Sequence, residues 1–325
     1  MRKRKTQSFL AELAAWDWFM FPRPPYLGKR WRVGFIPSKD SHVKVSVGKR
    51  SCHPRQVLIR AETRETAQRA LNLILGALNI VLGDHFVPTF SGSALPRLYP
   101  VSKGFKFEDS LPPSVMSTSN IPLACMVAAQ TSLSSQHIYA LAKLSLSIET
   151  YSASLMELDP ARNDNIPKSV FPEEHVRMAF AITAAYGYIE ELGLEIRSSE
   201  KNPSKLKDGT WNPVVRTDVE NRLRRAGINL NEHCSWNLRG ERTRIETKKP
   251  PVIVKPAPWF RWRVRDGDME LVDALDQSSF LWSKISAHRA DKRLLRVLSV
   301  YDVANVQFLA RRLFLESLRF WNFKP

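Results

Sequence analysis

Among the side chains able to do chemistry, His288 stands out: it lies four residues after Lys284 and directly before Arg289. A histidine moves protons near neutral pH, and neighbouring cations can hold an anionic group, but a lone imidazole needs a partner to act. The carboxylates Glu190, Glu191 and Glu195 are a second candidate, as metal ligands or an acid–base pair. Adjacent residues on a helix point apart, so a solvated or salt-bridged face is the favoured reading there. His233 and Cys234 are neighbours, yet nothing at ligand spacing completes a tetrahedron around them. Cys52, Cys125 and Cys234 are odd in number and form no C-x-x-C pair, which points to a reducing compartment and away from structural zinc. Gly34, Gly48 and Gly83 make no phosphate-cradling loop, and no serine sits in a nucleophile elbow. Metal, P-loop and serine-hydrolase chemistry are set aside, and no cofactor is expected.

Charge gives the partner class. With 49 Lys and Arg against 32 Asp and Glu, the 325-residue chain carries a net +17. The excess falls in two blocks: residues 1–64 hold 15 basic and 4 acidic side chains, and residues 201–265 hold 16 and 6. Trp31, Trp211, Trp236, Trp259 and Trp262 are interleaved with them. Basic blocks with aromatic side chains offer phosphate contacts beside base-stacking surfaces, so a nucleic acid is the expected partner, RNA first and DNA second. An acidic protein partner or plain solubility is the alternative use of such charge. The residues expected to contact it are Arg216, Arg222, Arg224 and Arg225, on one basic helix, and Arg261, Arg263 and Arg265.

The stretch LWSKISAH (Leu281 to His288), a loop, and then SVYDVANVQFLARRLFLESL resemble the end of HEPN domains. That family places an arginine, a polar residue next to it, and a histidine four to six residues after the arginine. FAITAAYGYIEELGLEIR, Phe180 to Arg197, resembles an early helix of the same bundle, so the likeness spans about residues 170–325. It implies an all-helical domain and a metal-independent endoribonuclease whose site forms between two protomers. In that chemistry a ribose 2′-hydroxyl attacks its own phosphodiester while a histidine moves the proton and a cation stabilises the developing charge. His288 sits at the family's histidine and Ser283 at its polar position, but Trp282 stands where the arginine belongs. An indole cannot supply a bidentate guanidinium fork, so Lys284 and Arg289 are the cations left for the task, and activity is expected to be weakened or lost. The resemblance also extends prokaryotic defence and toxin roles to the chain as an expectation, with a non-catalytic dimerising scaffold or nucleic-acid-binding module as the alternative.

The elements that must position these residues divide the chain into an α+β arrangement: a small α/β domain at 1–86, a Pro/Ser-rich linker at 87–122, and a helical domain at 123–325. Phe9, Leu13, Trp16 and Met20 recur at helical spacing and predict a short amphipathic helix; Glu12 and Asp17 rule out a signal peptide. Residues 31–35, 43–47 and 57–60 are β-prone, and Thr63 is positioned to cap a helix with Leu71, Leu75, Leu78 and Leu82 on its face. Ala70 to Gly83 is too short and too polar to span a bilayer, so a cytoplasmic chain is expected.

In the second domain two stripes are expected to face the core: Ile138, Leu141, Leu144, Ile148, Tyr151 and Leu155, then Val176, Phe180, Ala184, Tyr188 and Leu192. Asn212 as cap, Pro213 at the first helical position and Gly227 after the end bracket the basic helix. Residues 237–264 read as a basic, extended, surface-wrapping segment. Asp268 and Ser299 with Asp302 are expected to start the last two helices. The final one carries Phe308, Leu309, Leu313, Phe314, Phe320, Trp321 and Phe323, too much of its circumference for a one-sided helix, which predicts a homodimer built from 267–290 and 299–320.

Overall fold

The computed structural model describes residues 7–12, 31–38, 41–47, 56–82, 98–102, 120–151, 172–231, 233–239, 264–286, 298 and 300–318. They form an α+β protein in two compact units that divide between Ser145 and Leu146. The division falls inside a helix and not in the 87–122 stretch.

The first unit is built on a five-stranded antiparallel sheet in the order β2-β3-β4-β1-β5, from β1 (Gln7–Glu12), β2 (Trp31–Ser38), β3 (Ser41–Val47), β4 (Gln56–Ala61) and β5 (Tyr99–Val101). Three of these are the expected strands. β1 takes Phe9, the first residue of the expected N-terminal helix, into the sheet: Phe9 pairs with Ile59 on one side and Pro100 on the other, and both Phe9 and Ile59 are buried, while Leu13, Trp16 and Met20 lie outside the described residues. A vacant slot between two strands outweighs a local helical spacing, because pairing satisfies every backbone group at once. β5 likewise puts part of the expected linker into the sheet.

Helix α1 (Arg64–Leu82) follows as expected, with the Thr66 amide donating to Thr63 Oγ1 at 3.2 Å. Ala67, Ala70, Leu71, Ile74, Ala77 and Leu78 are its buried residues on the sheet and helix side, joined by Ile80 and Val81. It packs on α2 (Asn120–Thr131), which carries Pro122 in its first turn, where a missing N–H costs nothing. Gly76 and Asn79 of α1 have packing roles. A Cβ on Gly76 would come within 3.3 Å of Leu141, so glycine permits close approach of α3 (Ser135–Thr150), and Asn79 Nδ2 donates to Ser145 Oγ at 2.8 Å in the interior.

The second unit contains the end of α3, α4 (Pro172–Glu191), α5 (Pro213–Arg225), a β6–β7 hairpin (His233–Arg239 and Val264–Glu270), α6 (Leu271–Phe280), a π-helical turn (Leu281–Ser286) and α7 (Val300–Ser317). The hairpin corrects the expectation of an all-helical domain. Its strands pair in register from His233↔Glu270 to Arg239↔Val264, so both ends of the 240–263 stretch emerge side by side.

A buried polar relay fixes the helices. Ser147 Oγ donates to Ala181 O at 2.6 Å and accepts from Gln307 Nε2 at 2.9 Å, while Gln307 also donates to Tyr151 O. Seven residues further along both α4 and α7, Tyr188 meets Phe314 edge-on with ring centroids 5.6 Å apart, so these two helices run parallel. The Tyr151 hydroxyl reaches Glu174 Oε1, which makes α3 antiparallel to α4.

The core face of α4 is Met178, Ala181, Ile182, Ala185, Tyr186 and Ile189. The expected stripe through Val176 and Phe180 is therefore corrected: those two are exposed, and only Tyr188 of that set is fully buried. On α3 the expected stripe holds at Leu141, Leu144 and Ile148, with Leu155 outside the described residues. α7 buries Leu309, Leu313, Phe314 and Leu315 within the unit, against α4, β6 and α6. Of the residues that suggested a dimer, Leu309, Leu313 and Phe314 are thus covered within the unit, while Phe308 is half-buried and Phe320, Trp321 and Phe323 lie outside the described residues.

Candidate functional site

The stretch that resembles a catalytic motif begins where α6 widens into the π turn. Trp282, at the position of the expected arginine, stacks on Tyr186 of α4 with ring centroids 5.0 Å apart and planes 20° from parallel. The Tyr186 hydroxyl accepts from the Ile196 amide at 3.2 Å and hydrogen-bonds Ser279; burial pushes it up to about 12. Trp282 is therefore half-buried packing that ties α6 to α4 and to the turn after α4. Such offset pairs contribute about 0.5–1.5 kcal/mol beyond burial. Ser283 is half-buried beside it. Lys284 lies on the π turn, whose i→i+5 bonding rotates successive residues differently from an α-helix, so α-helical spacing from 281 to 286 does not carry over. The Lys284 side chain, His288 and Arg289 lie outside the described residues.

The basic helix α5 forms as read. Asn212 Oδ1 accepts from the Val214 amide, Pro213 opens the helix and Gly227 follows its end at φ 80°. Its arginines, however, are occupied. Arg222 is only 7% exposed; it holds Asp218 Oδ2 through Nε and Nη2, lies 3.6 Å from Glu195 Oε2, and donates from Nη1 to Gly193 O at 2.7 Å. Gly193, at φ 68°, closes α4 with Gly193 N→Glu190 O and Leu194 N→Ile189 O bonds, so Arg222 places a cation at the negative end of that helix. The expectation that Arg222 faces a polyanion is corrected, because burial with carboxylate partners leaves it none to give. Arg216 bonds Glu220 and Glu270, and these carboxylates hold its proton more firmly than usual. Arg224 bonds Glu220, and Arg225 Nε donates to Asn221 O. Glu195, considered above for metal or acid–base work, pairs with Arg197 at 2.6 Å.

A second cluster escaped the sequence reading. Lys205 and Trp211 bridge across a tight turn; the Lys205 ammonium sits 3.8 Å from the indole centroid, and both Lys205 Nζ and Trp211 Nε1 donate to Asp273 Oδ1. This pins the turn to the first turn of α6. Asp208-Gly209, with Gly209 at φ 89°, was the signal that could have found it. Arg265 lies in β7 opposite Leu238, whereas Arg261 and Arg263 are outside the described residues.

The charge of the whole chain then divides unevenly. Of its 49 basic and 32 acidic side chains, the basic ones gather in particular stretches of the sequence. The 240–263 stretch holds seven of those basic residues against two acidic, and 287–297 holds four against one. Among the described residues no group of three His, Cys, Asp or Glu could hold a metal, and no helix is long and apolar enough to cross a membrane. No family model matches the chain, and no curated protein or solved structure similar to it was found.

Proposed function

We propose that this chain binds RNA through its basic connecting segments, with the C-terminal unit as a HEPN-like frame whose cleavage chemistry is weakened or lost. The observation that carries the reading is the contrast between α5, whose Arg216, Arg222 and Arg224 are paired with carboxylates, and the 240–263 stretch of the sequence, which holds seven basic residues against two acidic. Free cations release counterions when they meet phosphate; cations already matched by carboxylates have less to gain. In WFRWRVR, Trp259 to Arg265, aromatic and basic residues alternate closely, the composition that suits unpaired bases rather than a duplex groove. The stacking of Trp282 on Tyr186 supports a packing use of the position where a ribonuclease needs its arginine.

The test is binding of a labelled single-stranded RNA, with duplex DNA as competitor, over a range of salt. RNA should bind more tightly, with a slope of about 0.7 per neutralised phosphate. No binding at low salt, or preference for DNA, would overturn the reading. In the same preparation the wild type should cut RNA weakly or not at all. Strong EDTA-resistant cleavage that disappears in His288→Ala would establish the ribonuclease instead, with Lys284 or Arg289 serving for the missing arginine.

A further inference from the structure

We infer that the open face of the five-stranded sheet in the first unit binds single-stranded RNA, with Arg60 holding a phosphate and the Tyr99 ring stacking on a base. The site uses none of the residues of the 240–263 stretch, and it rests on the reading above only in taking RNA as the partner. Helix α1 packs on one face of this sheet, where Val57, Ile59 and Ala61 of β4 and Phe9 of β1 are buried. Side chains alternate along a strand, and residues paired across neighbouring strands share a face. On the other face Lys44 pairs with Arg60, Arg60 with Ser8 and Ser8 with Val101, one row across four strands. Arg32 and Tyr99 stand at the two ends of the neighbouring row. Arg60 is exposed, and Tyr99 is 53% exposed on the edge strand β5. Leu58, in the middle of that second row, is covered, so the open part of the face runs from Arg60 to the β5 edge.

Charge selects the occupant. The strands set Arg32, Lys44 and Arg60 on this face against one carboxylate, Glu12 at the end of β1, with Glu62 just after β4. A polyanion matches that balance, and a cationic or apolar partner does not. Tyr99 lies two strands from Arg60, about 10 Å across the sheet, so a chain that sets a phosphate on Arg60 can lay a nearby base on the ring. A flat face with an exposed ring suits unpaired bases, because a duplex keeps its bases stacked on one another and offers none to Tyr99.

The test uses full-length protein and a labelled single-stranded oligouridylate over a range of salt. Tyr99→Ala should weaken binding by about tenfold, the loss of one stacked base, while Tyr99→Phe should bind as the wild type does, since stacking needs the ring and not the hydroxyl. Arg60→Gln should lower the salt slope by about 0.7. Both residues are exposed, so thermal melting of each variant should match the wild type. Duplex RNA should be indifferent to Tyr99→Ala. The same losses should persist in protein whose Arg261, Arg263 and Arg265 are converted to Gln, which separates the sheet from the 240–263 stretch. A wild type that binds RNA with affinity and slope unmoved by Tyr99→Ala and Arg60→Gln would overturn this inference and leave the earlier reading standing; a wild type that binds no RNA would overturn both. Tyr99→Phe as weak as Tyr99→Ala, or losses that vanish in the triple variant, would also overturn it. Displacement of the RNA by polyglutamate at an equal concentration of charge would make the face a docking site for an acidic protein instead.

Discussion

Helix α5 and the 240–263 stretch are both arginine-rich, and a charge count along the chain treats them alike. Within α5 the guanidinium groups answer to neighbours: Arg222 to Asp218, Glu195 and Gly193 O, Arg216 to Glu220 and Glu270, Arg224 to Glu220. The 240–263 stretch holds only two acidic residues, Glu241 and Glu246, against seven basic ones, so local carboxylates cannot match its charge. What matters for recognition is not how many cations a block contains but how many remain after the fold has assigned their partners.

The largest expected effect comes from breaking the most committed arginine. Arg222→Gln should destabilise the protein by about 3–5 kcal/mol in urea unfolding, because Asp218, Glu195 and the α4 carboxy-terminal carbonyl lose a shared buried partner. Where the variant is folded its RNA salt slope should equal the wild type's, and a flattened slope would erase the distinction drawn above. Next in size is the converse change: Arg261, Arg263 and Arg265 all converted to Gln should lower that slope by about two units on single strands. An unchanged slope would move the contact elsewhere. By contrast, Arg224→Gln with Arg225→Gln should leave the slope as it was and cost under about 1 kcal/mol of stability, since both side chains are exposed.

A smaller effect tests how the fold governs a buried polar group. His175 is buried, its Nδ1 has no hydrogen-bond partner, and burial lowers its pKa below the usual histidine value of 6.5. Protonation is thus easier in the unfolded chain than in the folded one. The stability that follows from a neutral imidazole is present above pH 6.5 and declines as pH falls toward the lower folded value. Unfolding free energy should fall more steeply between pH 7 and pH 5 in the wild type than in His175→Gln. Equal slopes for the two proteins would show that His175 is no part of the pH response.

Local patterns were legible wherever the chain's own neighbours sufficed. The alternation of Val43, Val45 and Val47, the Thr63 cap, and the Asn212-Pro213 start with Gly227 after the end all form as their residue types require. The errors arose where two apolar readings competed. On α4, Val176, Phe180 and Tyr188 make as good a stripe as Met178, Ile182 and Ile189, and periodicity cannot rank them. At the N-terminus Phe9 belongs to a helical spacing in the sequence but takes a strand position between β4 and β5.

The sequence by itself determined the α+β character, the Thr63 and Asn212 caps though not the Asp268 start, which lies in β7, the strands of the first sheet from β2 to β4, and the excess of positive charge. Each depends on residue type and near neighbours along the chain, and those are written in order. Only the tertiary structure decided that Arg222 closes α4 from 29 positions further along the chain, that Trp282 stacks on Tyr186, and that α7 buries Phe314 within its own unit. Those outcomes depend on which distant groups share the same space. A guanidinium or an indole has the same propensity whether it meets solvent, a carboxylate or another ring, so no local pattern could select among them.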